Sequence, residues 1–167
     1  MNAGDAESTI RLASEVLDEE PDNIPAFYMI TRSFVDLGRP GFAKVFGKRC
    51  TELDPNQAAA WVNYGNAHQI SFDLEGAIRC NSKALELDPK DFAALSNLAL
   101  AYNSSANPEK ALEYIARSEE ISPNDPDTKE NKGYCQLMLH QWQEGWKNYN
   151  ITVGRNSDRK RRSYLEA

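Results

Sequence analysis

Three prolines recur at an interval of 34 residues, Pro55, Pro89 and Pro123, inside the related strings ELDPN, ELDPK and EISPN. The same interval links Ala43, Ala77 and Ala111, continues to Gly145, and relates Phe27, Trp61 and Leu95 as large apolar residues. A period of this length accommodates one pair of helices and two turns. Such a unit cannot bury its apolar face alone, so successive copies stack into a solenoid.

Each copy can be rebuilt from local rules. The first helix carries a bulky residue and then further residues three and seven positions on, Ile30 and Phe34, Tyr64 and His68, Leu98 and Tyr102, which fall on one helical face. A turn follows, rich in helix breakers: GRPG, SFD, SSANP or HQ. The second helix offers a small residue, Ala43, Ala77, Ala111 or Gly145, where two helices must approach closely. It then stops before Asp-Pro or Ser-Pro, because the residue preceding proline is pushed out of the α region. Asp73 and Asn107 stand at predicted N-cap positions, and Pro108 follows at the favoured first helical position. In WVNYGNAH, residues 61–68, the pattern assigns Trp61, Tyr64 and His68 to the interior and Gly65 to a close helix approach.

These residues resemble the tetratricopeptide repeat, whose pattern runs large aromatic, Leu-Gly, Tyr, Ala, Phe, Ala, Pro. Residues 58–91 match best, through Trp61, Tyr64, Gly65, Ala77, Ala84 and Pro89. Residues 24–57 and 92–125 match in the same register, and 126–157 more loosely, with Gly133, Gly145 and Tyr149. The string STIRLASEVLDEEPDN parallels GAIRCNSKALELDPKD, so residues 1–23 read as the second half of a further unit that serves as a capping helix. The resemblance implies an all-α fold, a right-handed α-solenoid of helix-turn-helix repeats. Residues 158–167 are left as a basic tail or a second capping helix.

Composition excludes several functions. The N-terminus lacks the basic start and apolar stretch of a signal peptide, and no run of 18 apolar residues occurs, so the chain reads as cytoplasmic without membrane contact. Cys50, Cys80 and Cys135 are odd in number and widely spaced, which favours buried thiols over disulfides or a zinc site. With only His68 and His140, and no H-E-x-x-H, G-x-S-x-G or glycine-rich phosphate loop, no enzyme signature and no cofactor are expected. Residues 155–162, RNSDRKRR, hold five basic side chains and one acidic one, although the whole chain carries a net charge of -6. Nucleic acid is therefore an unsuitable partner for the body and could engage only the basic tail.

One repeat position carries chemistry. Asn63, Asn97 and Asn131 recur at the 34-residue interval on three first helices, which in the tetratricopeptide family line a concave groove. A carboxamide offers an acceptor and paired donors, and so can hold both main-chain groups of one residue in an extended peptide. Neighbouring helices lie about 8–10 Å apart, and three extended residues span roughly 10 Å, so three amides would match every third peptide residue. Arg32, Asn66, Gln69, Leu100, Asn103 and Tyr134 are predicted to complete the groove. The clamp of basic residues with which chaperone-binding relatives hold a C-terminal carboxylate is absent, its cations replaced by Val62, Asp127 and Asn131. The expected function is a non-catalytic module that binds an extended protein segment.

Two alternative roles follow from the ends of the chain. The asparagine ladder and the string HQWQEGWKNYN before the basic stretch are similar to the repeat regions of O-linked N-acetylglucosamine transferases and of bacterial repeat-containing glycosyltransferases. That resemblance implies substrate recognition. An exposed half repeat implies instead a homo-oligomeric scaffold.

Overall fold

In a computed structural model, which describes residues 3–153, the described chain is α-helical with no strand. The helices are α1 (Ala3–Glu19), α2 (Ile24–Asp36), α3 (Pro40–Leu53), α4 (Ala58–Gln69), α5 (Leu74–Leu87), α6 (Phe92–Ser104), α7 (Pro108–Ile121), α8 (Pro126–Met138) and α9 (Trp142–Val153). The basic stretch 155–162, and with it the tail 158–167, lies outside the described residues.

Two kinds of turn alternate, each fixed by its sequence. Between pairs, the helices end at Leu53, Leu87 and Ile121, just before Asp-Pro or Ser-Pro. The Asp54 and Asp88 carboxylates then accept the backbone N–H groups of Asn56 and Lys90. Side-chain N-caps start the next helices: Asn23 accepts from the Ala26 N–H, Asp91 from Ala94 and Asp125 from Thr128. Within pairs, Asp73 and Asn107 cap α5 and α7 by accepting from Gly76 and Lys110. Each such cap contributes about 1 kcal/mol.

The turns within pairs share one further device. Gly38, Phe72, Ala106 and His140, again 34 residues apart, all have φ between 56° and 63°. Arg39, Asp73, Asn107 and Gln141 then donate their N–H groups five residues back, to the carbonyls of Phe34, His68, Tyr102 and Gln136. This is a helix C-terminus closed by a left-handed residue, a conformation natural to glycine and costly for the other three. Phe72 bears that cost with 88% of its surface exposed.

Packing inside each pair follows reciprocal side-chain size. At the seam, Thr31 faces Gly47, Gly65 faces Asn81, Ala99 packs with Ile115, and Gly133 meets the backbone of Tyr149. Where one helix is large the other is small. A Cβ at Gly65 would collide with the Asn81 amide, so the close approach expected there is made by a side chain of α5. Ala43, Ala77 and Ala111 are fully buried. Every helix packs on the next in sequence, and α2, α4, α6 and α8 also touch one another in series. The corresponding α3, α5, α7 and α9 do not, among the described residues. The first helices therefore stand on the inside of the curve and the second helices on the outside.

Candidate functional site

The inner wall is built on α4 and α6, and its centre is an amide network. The Asn97 amide nitrogen donates to Asn66 Oδ1 at 2.7 Å and to Asn81 Oδ1 at 3.2 Å. Asn81 is fully buried and donates in turn to the Ala77 carbonyl at 2.8 Å. One side chain of α6 thus ties together α4 and α5. Asn97 spends both amide hydrogens on these bonds, so it retains its carbonyl oxygen, an acceptor, for a ligand.

The three ladder asparagines occupy different environments. Asn63 is only 4% exposed and its amide nitrogen has no hydrogen-bond partner among the described residues, Asn97 forms the bridge, and Asn131 is half-buried. The reason lies in the residue that each would meet one repeat earlier. Moving 34 residues toward the N-terminus from the Asn66 and Asn97 pair gives Arg32 and Asn63, and moving as far toward the C-terminus gives Leu100 and Asn131. Arginine has only donors and leucine has neither donor nor acceptor, so the amide-to-amide bridge forms once. Arg32 instead bonds Asp36 through Nε at 3.2 Å. The expectation of three equivalent amides presented to the groove is corrected accordingly: one is buried, one is a strut and one is half-exposed.

The other predicted groove residues also divide. Leu100 and Tyr134 expose 39% and 51% of their surfaces, and Arg32 is exposed. Gln69 and Asn103 are drawn inward, where Gln69 Oε1 and Asn103 Oδ1 lack partners among the described residues, as does Ser96 Oγ. A buried polar atom left unpaired costs about 1–3 kcal/mol. Asn81 escaped the sequence reading. Its signal is a polar residue at a place held by Ile115 one repeat later, opposite a helical glycine.

Beside this wall, His68 and Asp73 form a second polar contact. His68 Nδ1 lies 2.7 Å from Asp73 Oδ2, and the imidazole packs 4.5 Å from the Tyr64 ring. Asp73 also takes the Gly76 N–H, its main cause of acidity, so its carboxyl is held below the usual aspartate range with help from His68. The contact is structural, locking the α4–α5 turn. Burial pushes the Cys80 and Cys135 thiols up to about 11, which keeps them unreactive at neutral pH. Among the described residues, no group of acidic, His and Cys side chains could hold a metal ion, and no helix is long and apolar enough to cross a membrane.

The repeated pair geometry decides the family. Residues 58–91 and 80–113 match models of the tetratricopeptide repeat. The chain is a tetratricopeptide repeat protein. Its fold is shared with a crystal structure of MamA, 23% identical, with TM-score 0.78 over 93% of this chain and 91% of that one. It is also shared with TTC0263, a thermophilic tetratricopeptide repeat protein of Thermus thermophilus, 17% identical, with TM-score 0.77 over 92% and 84% of the two chains. Pseudomonas aeruginosa pilF, 19% identical, aligns with TM-score 0.78 over 90% of this chain and 69% of that one. No curated protein matches the chain. The repeat is a protein-interaction fold, and this tetratricopeptide array is a scaffold of that kind.

Proposed function

We propose that the concave side of the first helices binds an extended segment of a partner protein, chiefly through its main chain. The observation that carries this reading is the mixed surface of the inner wall: half-buried Asn131 offers a carboxamide with donor and acceptor, Asn97 keeps a carbonyl oxygen that accepts, and Leu100 and Tyr134 are exposed beside them. An extended peptide supplies both kinds of group at every residue. On this reading the units 24–57, 58–91 and 92–125 and the looser unit 126–157 each contribute their first helix to one continuous wall, and the half repeat 1–23 caps its start. The groove lacks a carboxylate clamp, so the segment recognised is internal and needs no free C-terminus. Amide contacts of about 0.5–1.5 kcal/mol each do not by themselves overcome an association cost of about 4–15 kcal/mol, so Leu100 and Tyr134 supply apolar contact.

The test is selection from a displayed library of unstructured peptides, followed by calorimetry on the peptides recovered. Asn131→Ala combined with Leu100→Ala removes groove contacts without touching the amide bridge. Affinity is expected to fall at least about tenfold, or about 1.4 kcal/mol, at unchanged helicity. Equal affinity for the wild-type chain and this double variant overturns the proposal.

A further inference from the structure

The orientation of the Asn97 carboxamide is dictated from behind the wall. The Ala77 carbonyl can only accept, so the fully buried Asn81 must turn its amide nitrogen toward it, at 2.8 Å. Asn81 Oδ1 is thereby left facing α6, where it accepts from the Asn97 amide nitrogen at 3.2 Å. That nitrogen also donates to Asn66 Oδ1 at 2.7 Å, which leaves Asn66 with its own amide nitrogen to spare. Each carboxamide is set by the one before it. The series ends in two unpaired atoms on the inner wall, Asn97 Oδ1 and Asn66 Nδ2, neither of them enclosed. Turning the Asn97 amide over would set its oxygen against Asn66 Oδ1 and Asn81 Oδ1. Asn66 could follow by turning over too, but Asn81 is held by the Ala77 carbonyl.

Asn131, one repeat on, has no such support. The positions equivalent to Asn66 and Asn81 are there Leu100 and Ile115, whose side chains neither donate nor accept. Its carboxamide is therefore free to present either its oxygen or its nitrogen.

Building on the proposed binding of an extended peptide, we infer that Asn81 is a positioning residue that makes Asn97 a fixed acceptor, so that the groove requires a main-chain N–H at this register and rejects proline there. A peptide residue gives its N–H to Asn97 Oδ1 and its C=O to Asn66 Nδ2. Proline, or any N-alkylated residue, brings no N–H and leaves the Asn97 oxygen stranded. At Asn131 the amide turns over to meet a carbonyl instead, so the neighbouring register tolerates the same change.

The experiment compares three full-length chains. One is wild type, and the second carries Asn81→Ile, which places the residue of the next repeat in the seam. The third adds Asn66→Asp to Asn81→Ile, so that an acceptor-only side chain again compels Asn97 to turn its nitrogen inward. Peptides recovered from a displayed library on the wild-type chain are resynthesised with one N-methyl group at each residue in turn and titrated by calorimetry. At one position the wild-type chain is expected to lose at least roughly tenfold in affinity. That penalty is expected to shrink to about threefold or less in Asn81→Ile and to return in the double variant. Conformational effects of the N-methyl group on the peptide are common to the three chains and cancel. Uniform tolerance of N-methylation by the wild-type chain, or an equally sharp loss in Asn81→Ile, overturns the inference while leaving peptide binding intact. Recovery of no peptide overturns the binding reading and this inference with it. The free wild-type chain supplies a check that needs no variant: by NMR, both Asn97 carboxamide protons should exchange with solvent at least roughly tenfold more slowly than those of Asn131. Equal rates overturn the inference.

Discussion

The α2–α3 and α4–α5 pairs share their turn geometry and small-residue seam, yet they are filled with opposite chemistry. In the first, the Phe34 ring lies 5.0 Å from Phe42 and 5.7 Å from Phe46, above a fully buried Ile30. In the second, the position equivalent to Phe34 is His68, and Asn81 stands deep in the seam. The pair geometry is therefore set by caps, left-handed turns and reciprocal side-chain size. Interior chemistry is free to vary as long as the polar atoms buried in the seam find partners. Asn81 finds two, in Ala77 and Asn97, and through Asn97 the interior of one repeat is connected to the wall of the next. The phenylalanine cluster, being apolar, makes no such hydrogen-bonded connection to the wall.

The largest effect should come from the apolar pair. Phe34→Ala removes a ring from a packed cluster and should cost about 3–5 kcal/mol, read as a lower midpoint in urea unfolding. A loss below about 1 kcal/mol would mean that this pair is not held by its core. In the polar pair, Asn81→Ala should cost about 1–3 kcal/mol, because it strands the Asn97 donor. Asn97→Ala should cost a similar amount, and the double variant less than the sum of the two, since both remove one network. Strictly additive losses would break the claim that the two amides act together.

A third effect has the opposite sign. Phe72→Gly relieves a left-handed residue and is expected to stabilise the chain by about 1 kcal/mol, while Gly38→Ala should destabilise it by about as much. Thermal melts of the two variants moving in the same direction would show that the equivalence of these turns is only geometric.

What could be read from the sequence follows the range of each interaction. Prolines, caps and the 34-residue period act over a few residues, so the helix ends at Leu53, Leu87 and Ile121 and the caps at Asp73 and Asn107 were legible. The left-handed turns at Phe72, Ala106 and His140 were hidden because glycine, the usual signal, is present only at Gly38. The amide network was hidden for a different reason. It joins Asn66, Asn81 and Asn97, residues 15 to 31 positions apart, whose partners depend on how three helices meet. Periodicity identified Asn97 as special but could not say whether its amide faced a ligand or a neighbour. Asn63 shows the same limit, since its burial depends on what α2 places against it.

The smallest predicted effect separates charge from packing in the α4–α5 turn. Asp73→Asn keeps an oxygen that can cap the Gly76 N–H, but it removes the negative charge beside His68, at 2.7 Å, and Lys44, at 3.7 Å. The Asp73 carboxyl is held below its ordinary value of 3.8, so its charged form is favoured by folding. Stability from such a group is fully present above the unfolded value and is lost as pH falls through the lower folded value. The wild-type chain should thus be slightly more stable than Asp73→Asn at pH 7, and the gap should close below about pH 4. The carboxylate is partly open to solvent, which screens it and keeps the effect small. Denaturant midpoints for both proteins across that range give the answer. A gap that persists undiminished in acid would assign the role of Asp73 to shape and hydrogen bonding, and would leave the polar pair, like the phenylalanine pair, indifferent to charge.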